Sequence, residues 1–207
     1  MVISQRAFGP ADMAIGFRIK SGYAIAIVLA GSAKSPTVVG RRIVELSDPA
    51  VAETKQPYHD GFGTENEDPR EIARRVKIIE RCATKSVAAL LKETSGAKRA
   101  GLVVGSLIDP QQVGNPHIRA HANEGKLFRT VVEDALRSHG ITSDVIVEKQ
   151  LAAKATAGLS RSEGEIKQTL AAFGKTIGGP WRADEKAAAT AAWLALGPTP
   201  GSASTAR

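Results

Sequence analysis

The sequence predicts an α/β domain built on a mixed sheet: three antiparallel strands, then two parallel ones, with helices on both faces. Three observations predict it. Met13 to Gly31 reads as two apolar strands joined by the tight turn Lys20-Ser21-Gly22. A third β-rich run, Val38 to Leu46, follows soon after. The pattern then switches to long helical segments alternating with short apolar runs, and crossovers of that kind place strands in parallel with right-handed connections.

The hairpin is the most informative stretch. Ile25, Ile27 and Leu29 alternate with Ala24, Ala26 and Val28, so no polar face remains. A strand apolar on both faces belongs in the middle of a covered sheet. Gly22 supplies the backbone freedom that a two-residue turn needs. In the third run, Gly40, Arg41 and Arg42 interrupt the apolar pairs Val38-Val39 and Ile43-Val44.

Ser47 to Pro69 is a long loop rich in Pro, Gly, Asp, Glu and Asn. Loops of this length in compact domains are often functional or mobile. Its Tyr58-His59-Asp60 stretch lies between turn-formers. Two readings stay open there: a cluster that does chemistry, or a turn with one buried aromatic.

Asp68-Pro69-Arg70-Glu71 starts a helix, with Asp68 as N-cap, Pro69 in the first turn and Glu71 near the positive end of the dipole. Ile72, Val76, Ile79, Ala83, Val87, Leu90 and Leu91 form its apolar face up to Ser95-Gly96. Arg99 to Ile108 reads as a short buried strand, broken by Asp109-Pro110. Asn115-Pro116 caps a second long helix, His117 to Ser138, which His139-Gly140 ends. Asp144 to Glu148 is the next strand. Leu151 to Leu159 suits either helix or loop. Ser162 and Glu165 form a capping-box pattern for a helix through Phe173, and Gly174 to Pro180 reads as a loop. Ala183 to Leu196 is an alanine-rich final helix. Residues 1–12 read as a loose lead-in, 13–197 as one domain, and 198–207 as a small, polar, disordered tail.

At 207 residues with 43% hydrophobic content, the chain can build a real core, but aromatics are only 4%, so Ala, Val, Ile and Leu must fill it. No run is long and apolar enough to span a membrane, and no basic segment followed by an apolar stretch marks a secretory signal. The single cysteine, Cys82, excludes an internal disulfide and a multi-cysteine zinc site, and its helical setting predicts a buried, inert thiol. A cytoplasmic location is the expectation. The net charge of +7 favours anionic partners such as nucleic acid, although the basic residues are spread along the chain rather than gathered in one stripe.

The order hairpin, third strand, helix, strand, helix, strand, helix, final helix resembles the ribonuclease-H-like superfamily, and within it the RuvC-type Holliday-junction resolvases. Ala14 to Gly22 looks like the family's opening strand, where an apolar-Gly-apolar run leads to an Asp and a glycine turn. Val145 to Gly158 followed by Glu163 to Leu170 looks like its strand, lysine- and glycine-containing loop, and helix. Ala183-Asp184-Glu185-Lys186 with Ala187 to Ala192 looks like its acid-plus-alanine final helix. The resemblance implies phosphodiester chemistry in which about four acidic groups hold two Mg²⁺ ions. This chain departs from that set. Arg18 or Lys20 stands where the first strand's acid belongs, Leu102 to Ser106 offers no Glu, and only Asp184 and Glu185 remain on the last helix.

The resemblance thus implies a nucleic-acid-associated, resolvase-like protein whose metal site is degenerate or rebuilt. If it is an enzyme, Asp184, Glu185 and Glu124 are the implied ligands of Mg²⁺ or Mn²⁺, and Arg18 and Lys20 the phosphate contacts. A homodimer is compatible with it. Two further classes stay open: a non-enzymatic scaffold or interaction domain of the same fold, and an actin-like small-molecule phosphotransfer enzyme using Lys20-Ser21-Gly22 as a phosphate cradle.

The densest remaining chemistry lies on the helix after Asn115. His117 and His121 are four residues apart and share a face, with Glu124 three further on. Two imidazoles and a carboxylate are a candidate zinc or iron set. The competing reading is a half-exposed helix face packed through Ile118, Ala122, Gly125, Phe128, Val132 and Leu136. Gly125, costly in mid-helix, is read as permitting a close helix–sheet approach. His59, Asp60, His117 and His121 are therefore accessory candidates. Trp181 either stacks on a base or closes the core beneath Gly178-Gly179-Pro180.

Overall fold

A computed structural model describes residues 13–60, 64–94 and 96–197. The predicted lead-in, the predicted tail, residues 61–63 of the predicted long loop, and Ser95 of the predicted Ser95-Gly96 helix end lie outside them. The main sheet contains β1 (Met13–Lys20), β2 (Tyr23–Ser32), β3 (Ser35–Glu45), β6 (Ala97–Val104) and β7 (Thr142–Val147), in the order β3-β2-β1-β6-β7. β1, β2 and β3 pair antiparallel in sequence order, and β6 and β7 join in parallel on the other side of β1. This is the predicted mixed sheet. A small hairpin, β4 (His59–Asp60) and β5 (Thr64–Glu65), stands apart from it.

Helices cover both faces. α1 (Pro69–Glu93) and α2 (Pro116–Ser138) pack on the side of Ile15, Phe17 and Ile19. α3 (Leu151–Leu159), α4 (Glu163–Ile177) and α5 (Ala183–Ala195) pack on the other, against Ile27, Leu29, Val38 and Val103. The caps follow the sequence: the Asp68 carboxylate accepts the N–H groups of Arg70 and Glu71, Asn115 accepts that of Ile118, and Ser162 with Glu165 forms a capping box.

Several boundaries differ from the sequence reading. β3 starts at Ser35 and β7 at Thr142, earlier than expected, because both are edge strands whose polar, half-exposed residues give no apolar signal. β6 ends at Val104, and Leu107 and Ile108 lie more than half exposed beyond it. α3 is a helix, so the helix-or-loop choice resolves to helix. α4 continues past Phe173 to Ile177. Its Gly174 is not a breaker but the spot where the Trp181 indole lies against the backbone, and Gly178 and Gly179, both at positive φ, end the helix. Trp181 packs with the α3–α5 core, as the core-closing reading expects. Cys82 is half-buried rather than buried. Burial and the nearby Asp48 carboxylate raise its thiol pKa despite Arg81 and Lys85, which keeps it protonated and inert.

α5 lies directly on the sheet. Gly16 of β1 and Gly101 of β6 are side-by-side register partners. A Cβ built on Gly16 would sit 1.8 Å from the Ala188 carbonyl oxygen, and one on Gly101 would sit 2.6 Å from that of Ala191. Two bare strand positions therefore receive the alanine face of the helix. This contact fixes where the N-terminus of α5, and with it Asp184 and Glu185, meets the ends of the strands.

Candidate functional site

The C-terminal ends of β1 and β6 open into a trough of about 300 Å³ lined by Arg18, Lys20, Ser21, Gly105, Ser106 and His121. In α/β sheets, ligands characteristically bind outside the carboxyl ends of the strands. A second hollow, of about 210 Å³, shares Ser106 and Gly125 with it and reaches Lys126 and Arg129. Gly125 does not serve a close helix–sheet approach: a Cβ there would meet nothing within 4 Å. The residue sits between the two hollows, on the exposed side of α2.

Alternation along β1 turns Gly16, Arg18 and Lys20 toward α5. Arg18 is only 6% exposed. Its guanidinium donates to Glu148 at 2.6 Å and to Asp184 at 3.2 Å, while Nη1 is buried without a partner among the described residues. Lys20 Nζ lies 3.4 Å from the same Asp184 carboxylate. The neighbouring acid points elsewhere. Glu185 is 3% exposed and accepts from Arg41 of β3 at 2.9 Å and from the Arg182 backbone N–H at 2.9 Å. Burial pushes the Glu185 pKa up, but the hydrogen bonds from Arg182 and Arg41 outweigh it and hold the carboxyl below its ordinary value.

A carboxyl whose pKa is lower folded than unfolded stabilises the fold above its unfolded pKa, and that stability fades as pH falls through the folded value. Glu185→Gln is therefore expected to cost about 2 kcal/mol at neutral pH. The gap between wild type and variant should close below about pH 4 in urea melts followed by circular dichroism.

Glu124 belongs to a different cluster. It is 1% exposed, and its carboxylate meets His59 Nδ1 at 2.7 Å and His121 Nδ1 at 3.3 Å. His59 is buried and lies 3.3 Å, Nε2 to Nδ1, from His117. The buried face of α2 runs through Ala120, Glu124, Phe128, Val131 and Ala135, which leaves Ile118, read as packing on a half-exposed face, 52% exposed. His117 and His121 fall on the adjoining exposed face. The three imidazoles form, among the described residues, the single group of three or more candidate ligand side chains that converges closely enough to hold a metal ion.

The hairpin that delivers His59 is clamped from two sides. Arg75 of α1, itself 6% exposed, donates to the carbonyls of Pro57 and His59 and to the Asp60 carboxylate. Arg119 of α2 donates to Glu65 at 3.0 Å.

The structure therefore distributes the sequence candidates over separate places. Arg18, Lys20 and Asp184 come together, Glu185 pairs with Arg41, and Glu124 joins His59, His117 and His121. Asp60 faces Arg75 and Asn66 instead of the histidines. The expected ion-ligand set of Asp184, Glu185 and Glu124 is not assembled, because each of the three acids is engaged by a different basic partner.

Two Mg²⁺ ions do not fit the Arg18 site. The oxygens that would bind them are spent on a buried guanidinium and an ammonium, and cations there oppose a divalent ion. Arg41, Arg75 and Glu148 were missed as partners in the sequence. Glu148 had a signal, an acid directly after a parallel strand, whereas Arg75 stands in a basic run that reads as solvated surface.

The mixed five-stranded sheet with helices on both faces is a ribonuclease-H-like fold. Among solved structures it is similar to Thermus thermophilus RuvC, at 12% sequence identity and a TM-score of 0.50, covering 88% of this chain and 92% of that one. T. thermophilus RuvC in complex with a Holliday junction substrate gives 11% identity, the same TM-score of 0.50 and coverage of 88% and 91%. The yeast mitochondrial Holliday junction resolvase Ydc2 gives 10% identity, a TM-score of 0.45 and coverage of 92% and 79%. No protein-family model and no curated protein sequence matches the chain. Among the described residues, no helix is long and apolar enough to cross a membrane.

Proposed function

We propose that this chain is a nucleic-acid-binding protein of resolvase-like fold that has given up two-metal phosphodiester cleavage. One observation supports the reading above the others: a buried arginine, Arg18, stands at the end of β1 and is ion-paired to Asp184 and Glu148. A site closed internally by arginine and lysine against two carboxylates holds its own neutralising charges and has no oxygens to spare for Mg²⁺. The partner class rests on the fold and on the net charge of +7, which attracts a polyphosphate backbone without requiring base recognition. The trough beside the pair, with Ser106 and Gly125 along it and Lys126 in the adjoining hollow, is the groove assigned to a nucleic-acid strand.

Gel-shift titrations on duplex and four-way branched DNA test both halves. Binding is expected at low salt and should weaken at least tenfold between about 50 and 200 mM monovalent salt, through counterion release. No cutting is expected when Mg²⁺ is added. Absence of binding at low salt eliminates the nucleic-acid reading. Mg²⁺-dependent cutting that Asp184→Asn abolishes eliminates the loss of cleavage.

A further inference from the structure

We propose that His59, His117 and His121 form a zinc site, oriented by Glu124 and open toward the trough. The inference does not depend on nucleic-acid binding. The three rings surround one point: their centroids lie 4.5 to 5.3 Å apart and their planes are inclined by 49° to 76°, so none is stacked on another. One ligand nitrogen from each falls within 4.8 Å of the others. Two nitrogens on a tetrahedral zinc, each about 2.0–2.1 Å from the metal, stand about 3.3–3.4 Å apart. His59 Nε2 and His117 Nδ1 are 3.3 Å apart.

Glu124 specifies the tautomers. One carboxylate oxygen faces Nδ1 of His59 and the other Nδ1 of His121. Protons held on both Nδ1 atoms leave both Nε2 lone pairs free to coordinate, and His117 supplies Nδ1 from the same helix face, one turn away. A carboxylate behind a ligating histidine is the usual second layer of a metal site, because it fixes the ring and raises its basicity. Here one buried carboxylate serves two rings.

The donor set selects the ion. Three neutral imidazoles suit zinc and its borderline neighbours, and give Mg²⁺ none of the oxygens it demands. Three protein ligands leave a fourth position. His117 and His121 are exposed, and His121 also lines the trough with Lys20 and Ser106, so that position is open to water or to a phosphate oxygen. The site is a rebuilt metal centre displaced from the Arg18 pair onto the α2 side of the same trough.

The test uses the untagged 207-residue chain. After zinc loading and exhaustive dialysis, elemental analysis should find one zinc per chain, and zinc should raise the melting temperature of the chelator-treated protein. Cobalt substituted for zinc should show the intense visible bands of a tetrahedral site. His117→Ala and His121→Ala alter exposed side chains, so the fold should survive by circular dichroism while each variant loses zinc affinity at least 100-fold. Glu124→Gln should weaken zinc 10- to 100-fold without changing the stoichiometry. Failure of the wild type to retain zinc overturns the site, as does retention unchanged in the His117→Ala, His121→Ala double variant. In either case the three rings are a hydrogen-bonded cluster and nothing more.

Discussion

Gly16→Val is expected to abolish the folded state. The added Cβ would stand 1.8 Å from the Ala188 carbonyl oxygen and 2.4 Å from the Ala192 nitrogen, and both are backbone atoms of α5 that no rotamer change can move. The helix must lift from β1, and with it go the contacts of Ala188, Ala189, Ala192 and Trp193 with Ile27 and Leu29. Overpacking on this scale exceeds the roughly 1–3 kcal/mol of an ordinary core insertion and approaches the whole stability of a domain, about 5–15 kcal/mol. The variant should appear in the insoluble fraction, or should lack a cooperative thermal transition. Gly125→Ala is the control. It also adds a methyl to a glycine, but in open space on a helix, where the gain in helix propensity should raise stability by about 0.5–1 kcal/mol. If Gly16→Val melts like wild type, α5 does not lie on the sheet as described.

The contrast between these glycines shows what the sequence exposes and what it conceals. The two-sided apolar pattern of β2 revealed a central strand, and Asp68, Asn115 and Ser162 announced three helix starts, because strand alternation and capping are local. Gly16 and Gly101 are also local in sequence, but their role depends on a helix some 90 to 170 residues away, so nothing nearby distinguishes them from Gly125, whose reading failed. The site divides in the same way. His117 and His121 could be paired from their spacing on one helix. His59 could not be joined to them, because the connection runs through a hairpin whose position is set by Arg75 and Arg119. That Arg18 stands where an acid belongs, facing the final helix of Asp184, was legible through the resemblance to the resolvases. Glu148 completes that pair from the far side of β6, in the turn just past β7, a strand whose order in the sheet no residue pattern states.

Arg75→Met is expected to cost about 3 kcal/mol and to loosen the His59 hairpin. The guanidinium is buried and satisfies the carbonyls of Pro57 and His59 together with the Asp60 carboxylate. Methionine fills much of the same volume but donates nothing, so two carbonyls lose their partners, at about 1–3 kcal/mol for each buried group left unpaired. Urea denaturation gives the stability loss. Hydrogen exchange gives its location, with faster exchange at His59 and Asn66, whose backbone N–H groups bond Gln56 and Tyr58. Unchanged exchange there would show that Arg119 and Glu65 alone hold the hairpin.

The seating of α5 on bare glycines also bears on how the chain matures as it is made. β1, β2 and β3 leave the ribosome well before Ala183 to Ala195, which complete the layer that covers Gly16, Ile27 and Leu29. Until α5 has been made, one face of the hairpin lacks its alanine cover and also lacks Trp193, whose indole donates to the Ala33 carbonyl. Contacts that span so much of the chain close slowly, and an apolar sheet face left waiting is a surface that invites self-association. The sheet thus keeps an open apolar face for the whole interval between the synthesis of β1–β3 and that of α5, and chains truncated before Ala183 are expected to self-associate.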